Sequence, residues 1–146
     1  MKLISQWIIA IFVIVGLLLS ACGSTSAAKG KVQPSRLEPI EGTDFSRVLL
    51  TEKAAERLDI QTALVREEQV GKTQRKVIPY AAVLYSPKGA TWAYTNPEPM
   101  VFVRQPIVID YIKGDWAVLS EGPEAGTAVV TVGAAELLGA ETGVSK

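Results

Sequence analysis

The most reactive side chain in the sequence occurs once: Cys22 is the only cysteine, and there is no histidine. A lone thiol makes no internal disulfide, and as a thiolate it is a nucleophile suited to thioether formation. Without histidine, the commonest general base and the commonest zinc ligand are both missing. Serines, lysines and carboxylates remain, yet they form no G-x-S-x-G elbow, no phosphate-binding glycine loop and no metal-ligand spacing. Glu67 and Glu68 are adjacent, so in a strand they face opposite ways and serve poorly as an acid/base pair. No catalytic, cofactor-binding or metal-binding residue is assigned, and an enzyme is not expected.

The surroundings of Cys22 decide what its thiol is for. Met1-Lys2 gives a short positive start, and Trp7–Leu19 is an unbroken apolar run. A spanning helix needs about 20 apolar residues, so this shorter run has the length of a helical signal-peptide core. Leu19-Ser20-Ala21-Cys22 resembles the lipobox of bacterial lipoproteins, where small residues suit a peptidase pocket with little room. The resemblance implies cleavage between Ala21 and Cys22, acylation of Cys22 with palmitate-class chains, and anchorage on the extracytoplasmic face of a bacterial membrane. Each buried CH₂ contributes roughly 0.8 kcal/mol, so two or three chains hold firmly where one does not. Gly23 stands where an aspartate would resemble the inner-membrane retention signal of enteric bacteria. The anchor is therefore expected in the cell membrane or, in a diderm, toward the periplasm and outer membrane.

Charge narrows the partners further. The 15 basic and 15 acidic residues balance, and loss of Lys2 with the signal peptide leaves 14 against 15. With no basic run in either half, the electrostatic footprint of a nucleic-acid binder is absent. After the anchor, residues 22–43 are rich in Ser, Gly, Ala and Pro and read as a flexible tether with a coil reach of about 25 Å.

The rest reads as one small β-domain over residues 44–140, with a tail at 141–146. Phe45–Leu50 is a short strand, and Thr51 caps a short helix that presents Ala54, Ala55 and Leu58 on one face. Ile60–Val65 alternates as a strand, and charged Arg66–Arg75 with Gly71 reads as a turn or exposed edge. From Val77 to Val132, brief β-branched and aromatic runs are punctuated by Lys88-Gly89, Asn96-Pro97-Glu98-Pro99 and Lys113-Gly114-Asp115. The proline pair should interrupt strand pairing, because each proline lacks a donor. Gly133–Leu138 should close the domain with a helical turn. Trp92, Tyr94, Phe102, Tyr111 and Trp116 are read as core, and Arg104 as a solvated edge charge that discourages strand pairing.

Several of these stretches carry a family resemblance. Leu58–Val65 (LDIQTALV) is similar to a strand near the start of periplasmic adaptor subunits of RND-type efflux pumps, the membrane fusion proteins. Val77–Val83 (VIPYAAV), Gly89–Tyr94 (GATWAY), Phe102–Ile109 (FVRQPIVI) and Gly126–Ala134 (GTAVVTVGA) resemble, in order, four motifs of the membrane-proximal domain of those adaptors. Thr127 departs from the acidic residue usual at its position. The resemblance implies a mainly β fold, a small β-roll or barrel-like domain with one short α-helix. Its two sequence-distant halves are joined directly, because the stretch between Val65 and Val77 leaves no room for the lipoyl-like domain, helical hairpin and β-barrel of a full adaptor.

In the family this domain packs against the pump, so the resemblance implies a lipid-anchored, extracytoplasmic accessory protein. Its implied partners are membrane lipid, through Cys22, and a protein such as an RND-type transporter. It would assist transmembrane efflux, with no nucleic acid involved. A second reading is a surface lipoprotein that binds a small ligand or glycan on aromatic strands bearing Trp92 and Trp116.

Overall fold

The computed structural model describes residues 33–143, so Cys22, the signal peptide and the first part of the spacer lie outside the described residues. Strands take up 54% of the described residues, and the fold is mainly β. The elements are β1 (Ser35–Pro39), β2 (Ser46–Leu50), α1 (Glu52–Arg57), β3 (Gln61–Leu64), β4 (Arg66–Val70) and β5 (Thr73–Pro79). After a single 3₁₀ turn at Tyr80–Ala82 come β6 (Leu84–Tyr85), β7 (Thr91–Glu98), β8 (Val101–Lys113), β9 (Trp116–Glu121), β10 (Ala128–Val132) and α2 (Ala134–Thr142). Among the described residues no helix is long and apolar enough to cross a membrane.

The strands pair antiparallel in the order β3-β10-β7-β8-β9-β5-β4, with β2 and β1 added beside the start of β8 and β6 beside β7. The end strands β3 and β4 are consecutive in the chain, with only Val65 between them, so the sheet curls into a half-barrel. Glycines turn the hairpins where positive φ is needed, at Gly89 (+84°) and Gly114 (+58°).

Strand β8 is the long shared member, and Pro106 sits in its middle without breaking it. The Ile107 carbonyl accepts from the Thr91 hydroxyl on β7, while the Val108 carbonyl accepts from the Ser120 hydroxyl on β9. Successive carbonyls of a strand point to opposite edges, so β7 and β9 lie on opposite edges of β8. By the same alternation, the missing N–H of Pro106 faces the edge shared by β2 and β9. There β2 pairing stops at Val103 and β9 pairing starts at Val108. The proline therefore costs no ladder bond.

The proline pair near residue 98 interrupts less than the sequence suggests. Pro97 lies inside β7, and pairing resumes at Glu98↔Val101 after a register shift. The Asn96 side-chain amide donates to the carbonyls of Glu98 (2.7 Å) and Val101 (2.9 Å), replacing main-chain bonds lost there.

Residues alternate between two cores. Ala93, Ile107, Ala117, Leu119 and Val129 point inside the curl with Val65, Ile78 and Ala82. Their chain neighbours Tyr94 and Val130 point outward, where Val48, Leu50 and Phe102 meet Ala54 and Ala55 of α1 and Ala134 and Leu137 of α2. Thr51 caps α1 as expected, its hydroxyl accepting from Ala54 N at 3.2 Å.

Both margins of the domain extend beyond the expected 44–140. Ser35–Pro39, within the expected 22–43 tether, forms β1 along β2 from Ser35↔Leu50 to Pro39↔Ser46. Polar, proline-flanked composition hides this strand, because an edge strand needs only one face and one neighbour. The helical turn expected at Gly133–Leu138 is the longer α2, which draws Glu141 and Thr142 out of the expected 141–146 tail.

Gly133 precedes α2 with φ +86°, a left-handed backbone that penalises any side chain, and a Cβ there would also press on the tip of Ile60, which can shift aside. Gly133→Ala should therefore destabilise the domain by about 1–2 kcal/mol, read as a lowered urea midpoint at unchanged slope.

Candidate functional site

Two regions stand out: a buried charge cluster under α2, and the outer margin of the curled sheet where β8 leaves β7. The first is organised by Arg104, which projects from β8 beneath the end of α2. Its Nη2 donates to Glu141 Oε1 at 3.3 Å. Its Nε lies 3.2 Å from Oε2 with its proton too poorly aligned to count as a hydrogen bond. Side-chain exposure is 17% for Arg104 and 4% for Glu141, which makes this a buried ion pair.

The remaining acceptor capacity of Glu141 is used by the Tyr94 hydroxyl and by Ser46 N, at 3.1 Å. The guanidinium also lies over the rings of Phe45 (4.8 Å) and Trp92 (5.2 Å), which themselves meet edge to face at 5.1 Å. Arg104 is thus not the solvated edge charge expected from sequence. It sits on a strand paired with β7, and its partner lies 37 residues downstream. Four elements are tied together, and nothing among them is positioned as a nucleophile.

Burial first, then the hydrogen bond to Glu141 and its negative charge, push the Tyr94 phenol far above its ordinary value of 10.0, with Arg104 opposing. A folded-state value above the unfolded one favours the neutral form. Its contribution is complete below pH 10 and is lost as pH rises beyond that. Alkaline unfolding should accordingly show a fall in stability above pH 10 that is smaller in Tyr94→Phe. Absorbance titration should leave one of the four tyrosines un-ionised until the domain unfolds.

The aromatic residues do not form the single group that the sequence allows. Tyr94 and Phe102 are core, Trp92 and Trp116 are half-buried, and Tyr111 is exposed. Trp92 packs with Phe45, whereas Trp116 lies under Arg66 at 5.1 Å. Glu67 and Glu68 are both exposed on β4. A groove of about 820 Å³ between α1 and the β7–β8 hairpin is rimmed by Glu52, Glu56, Asp59 and Glu98. Among the described residues no group of histidine, cysteine or carboxylate side chains is placed to hold a metal ion.

The second region begins where β7 ends. On the β7 side of β8, pairing stops at Thr91↔Ile107, and Val108–Lys113 pairs only with β9 on the opposite edge. Beside this open edge lies a shallow groove of about 560 Å³ whose apolar lining includes Tyr85, Trp92, Pro106, Val108 and Ile109. Tyr85 (54%), Val108 (46%), Ile112 (43%) and Tyr111 (39%) are exposed. The Tyr85 hydroxyl donates to that of Tyr80 at 3.5 Å, and the two rings pack edge to face. Sequence reasoning missed this surface, because neighbouring strands, and not composition, determine which backbone groups stay unpaired.

Comparison with known proteins gave no matching family model, no matching curated protein and no matching solved structure. Function must therefore be argued from the chain itself. The residues expected to carry the anchor, Cys22 with cleavage after Ala21, lie outside the described residues. The described residues offer a curled sheet, a buried ion pair holding its last helix, and an open apolar stretch along the edge of β8.

Proposed function

We propose that this chain is a lipid-anchored extracytoplasmic accessory protein whose β-domain docks on a membrane transporter and assists efflux. In this reading the domain is akin to the membrane-proximal domain of efflux adaptors. One observation carries the proposal. The two stretches that resemble opposite halves of that domain, Leu58–Val65 and Gly126–Ala134, lie side by side as paired strands. Their register runs Leu64↔Ala128, Ala63↔Val129 and Thr62↔Val130. The other resembling stretches fall on β5 with the 3₁₀ turn, on β7 and on β8, within the same curled sheet.

The lipobox-like Leu19–Cys22 supports the anchor and the extracytoplasmic location. A domain held near the bilayer needs no helical hairpin if its role is to meet a transporter and not to bridge to a second membrane. Binding of a glycan along an aromatic stripe has less support, because Trp92 and Trp116 pack against different partners. Removal of the gene tests the function. Cells lacking the chain should retain more of a fluorescent efflux substrate, and the intact chain should restore export. Unchanged retention of every substrate tried contradicts the proposal.

A further inference from the structure

We infer that the groove between α1 and α2 is a lipid site: it takes one acyl chain of a zwitterionic phospholipid, whose headgroup is held at the rim by Arg57 and Glu136. This rests on the lipid-anchored reading above and extends it, from attachment to a bilayer to recognition of one of its lipids.

The groove has a volume of about 470 Å³, and its floor is apolar, with Leu50, Ala54, Leu58 and Ala140 among the residues that line it. Hydrocarbon laid on such a floor leaves water favourably. Two charges of opposite sign complete the lining, Arg57 from the last turn of α1 and Glu136 from the first turn of α2. Both are exposed, and among the described residues neither forms an ion pair. One free cation and one free anion beside an apolar floor complement an amphiphile that carries both charges, a phosphate for Arg57 and an ammonium for Glu136.

A glycine keeps the groove open. Gly139 lines it from within α2, where glycine is a poor helix former, and a Cβ built there meets nothing within 4 Å. Packing does not require glycine at this position, so alanine would suit the helix better. Glycine of this kind marks a place where another molecule approaches the backbone closely.

The course of the chain selects a bilayer lipid among such amphiphiles. The description begins at Gln33, and Pro34 and Ser35 already line the groove. Cys22 stands eleven residues before Gln33, so chain length alone keeps the groove within roughly 40 Å of an acylated Cys22. Phospholipid is then the amphiphile of highest local concentration. The other two grooves lack the matching chemistry. Glu52, Glu56, Asp59 and Glu98 around the larger one repel a phosphate, and the groove beside the open edge of β8 has no charged residue in its lining.

The full-length acylated chain in phosphatidylglycerol vesicles tests this, with trace phospholipids that carry a diazirine on one acyl chain. A probe with an ethanolamine headgroup should label residues 50–58 and 136–140, and a probe with a glycerol headgroup should label them less. Gly139→Leu fills the groove and should lose that labelling, while its urea midpoint does not fall and its palmitate incorporation is unchanged. Arg57→Gln combined with Glu136→Gln should abolish the difference between the two headgroups and leave the chain anchored. Equal labelling of the unaltered chain by the two probes, or labelling that survives Gly139→Leu, overturns the inference. Crosslinks in native membranes that join these segments to a protein in place of lipid overturn it as well. An intact chain that takes up no palmitate removes the anchored reading, and this inference with it.

Discussion

Glu141→Ala should destabilise the described domain by about 3–5 kcal/mol, enough to consume much of the 5–15 kcal/mol typical of a small domain. The effect is large because several groups lose their partner at once. Arg104 keeps its charge beneath α2, the Tyr94 hydroxyl loses its acceptor, and Ser46 N loses its side-chain cap. Thr142 and the rest of the last turn of α2 should fray first, visible as early hydrogen exchange.

A control separates charge burial from packing. The triple change Tyr94→Phe, Arg104→Met and Glu141→Leu replaces the polar cluster by apolar groups of similar volume. It should recover most of the loss, because removing both members of a buried pair is far less costly than removing one. Chemical unfolding of the unaltered chain, Glu141→Ala and the triple variant side by side checks this. A Glu141→Ala chain that unfolds at the unaltered midpoint refutes the role given to the cluster.

Cys22→Ser should abolish acylation. A pulse of clickable palmitate should label the intact chain and leave the serine variant unlabelled. The mature intact chain should begin at Cys22, with the mass of its acyl groups added. Serine retains a nucleophilic oxygen but not the sulfur that thioether attachment needs. Label retained by the serine variant, or a mature start elsewhere, contradicts the lipobox reading. The serine variant should also lose partner contact, because a chain free of the bilayer no longer shares a surface with its partner.

The parts of the fold legible from sequence are those determined by neighbours in the chain. Thr51 as a cap and Gly89 and Gly114 as turn residues each act over a few positions, and the structure places all three in those roles. Alternation identified which side chains of β7 share a face, so Tyr94 as core was readable. Long-range relations were not. Arg104 reads as an edge charge until Glu141 is brought to it from the far end of the domain. Pro97 reads as a break until the Asn96 amide is seen to supply the missing bonds. β1 reads as spacer because its polar composition is compatible with both coil and an edge strand.

The open edge of β8 is the clearest example of this limit. Val108–Lys113 looks in sequence like any other short β-run, and hairpin logic correctly pairs it with β9. That β7 stops short of it depends on the turn before Thr91, and that β2 lies on the opposite edge depends on a strand more than fifty residues earlier. Edge exposure is a property of topology, and composition alone does not carry it.

The most direct test of the anchored docking role is crosslinked capture from native membranes, with the intact chain beside the Cys22→Ser variant and partners identified by mass spectrometry. A transporter subunit enriched with the intact chain and lost with the variant is the predicted result. Recovery of lipid but no protein partner, from membranes where the intact chain is abundant, would contradict the account.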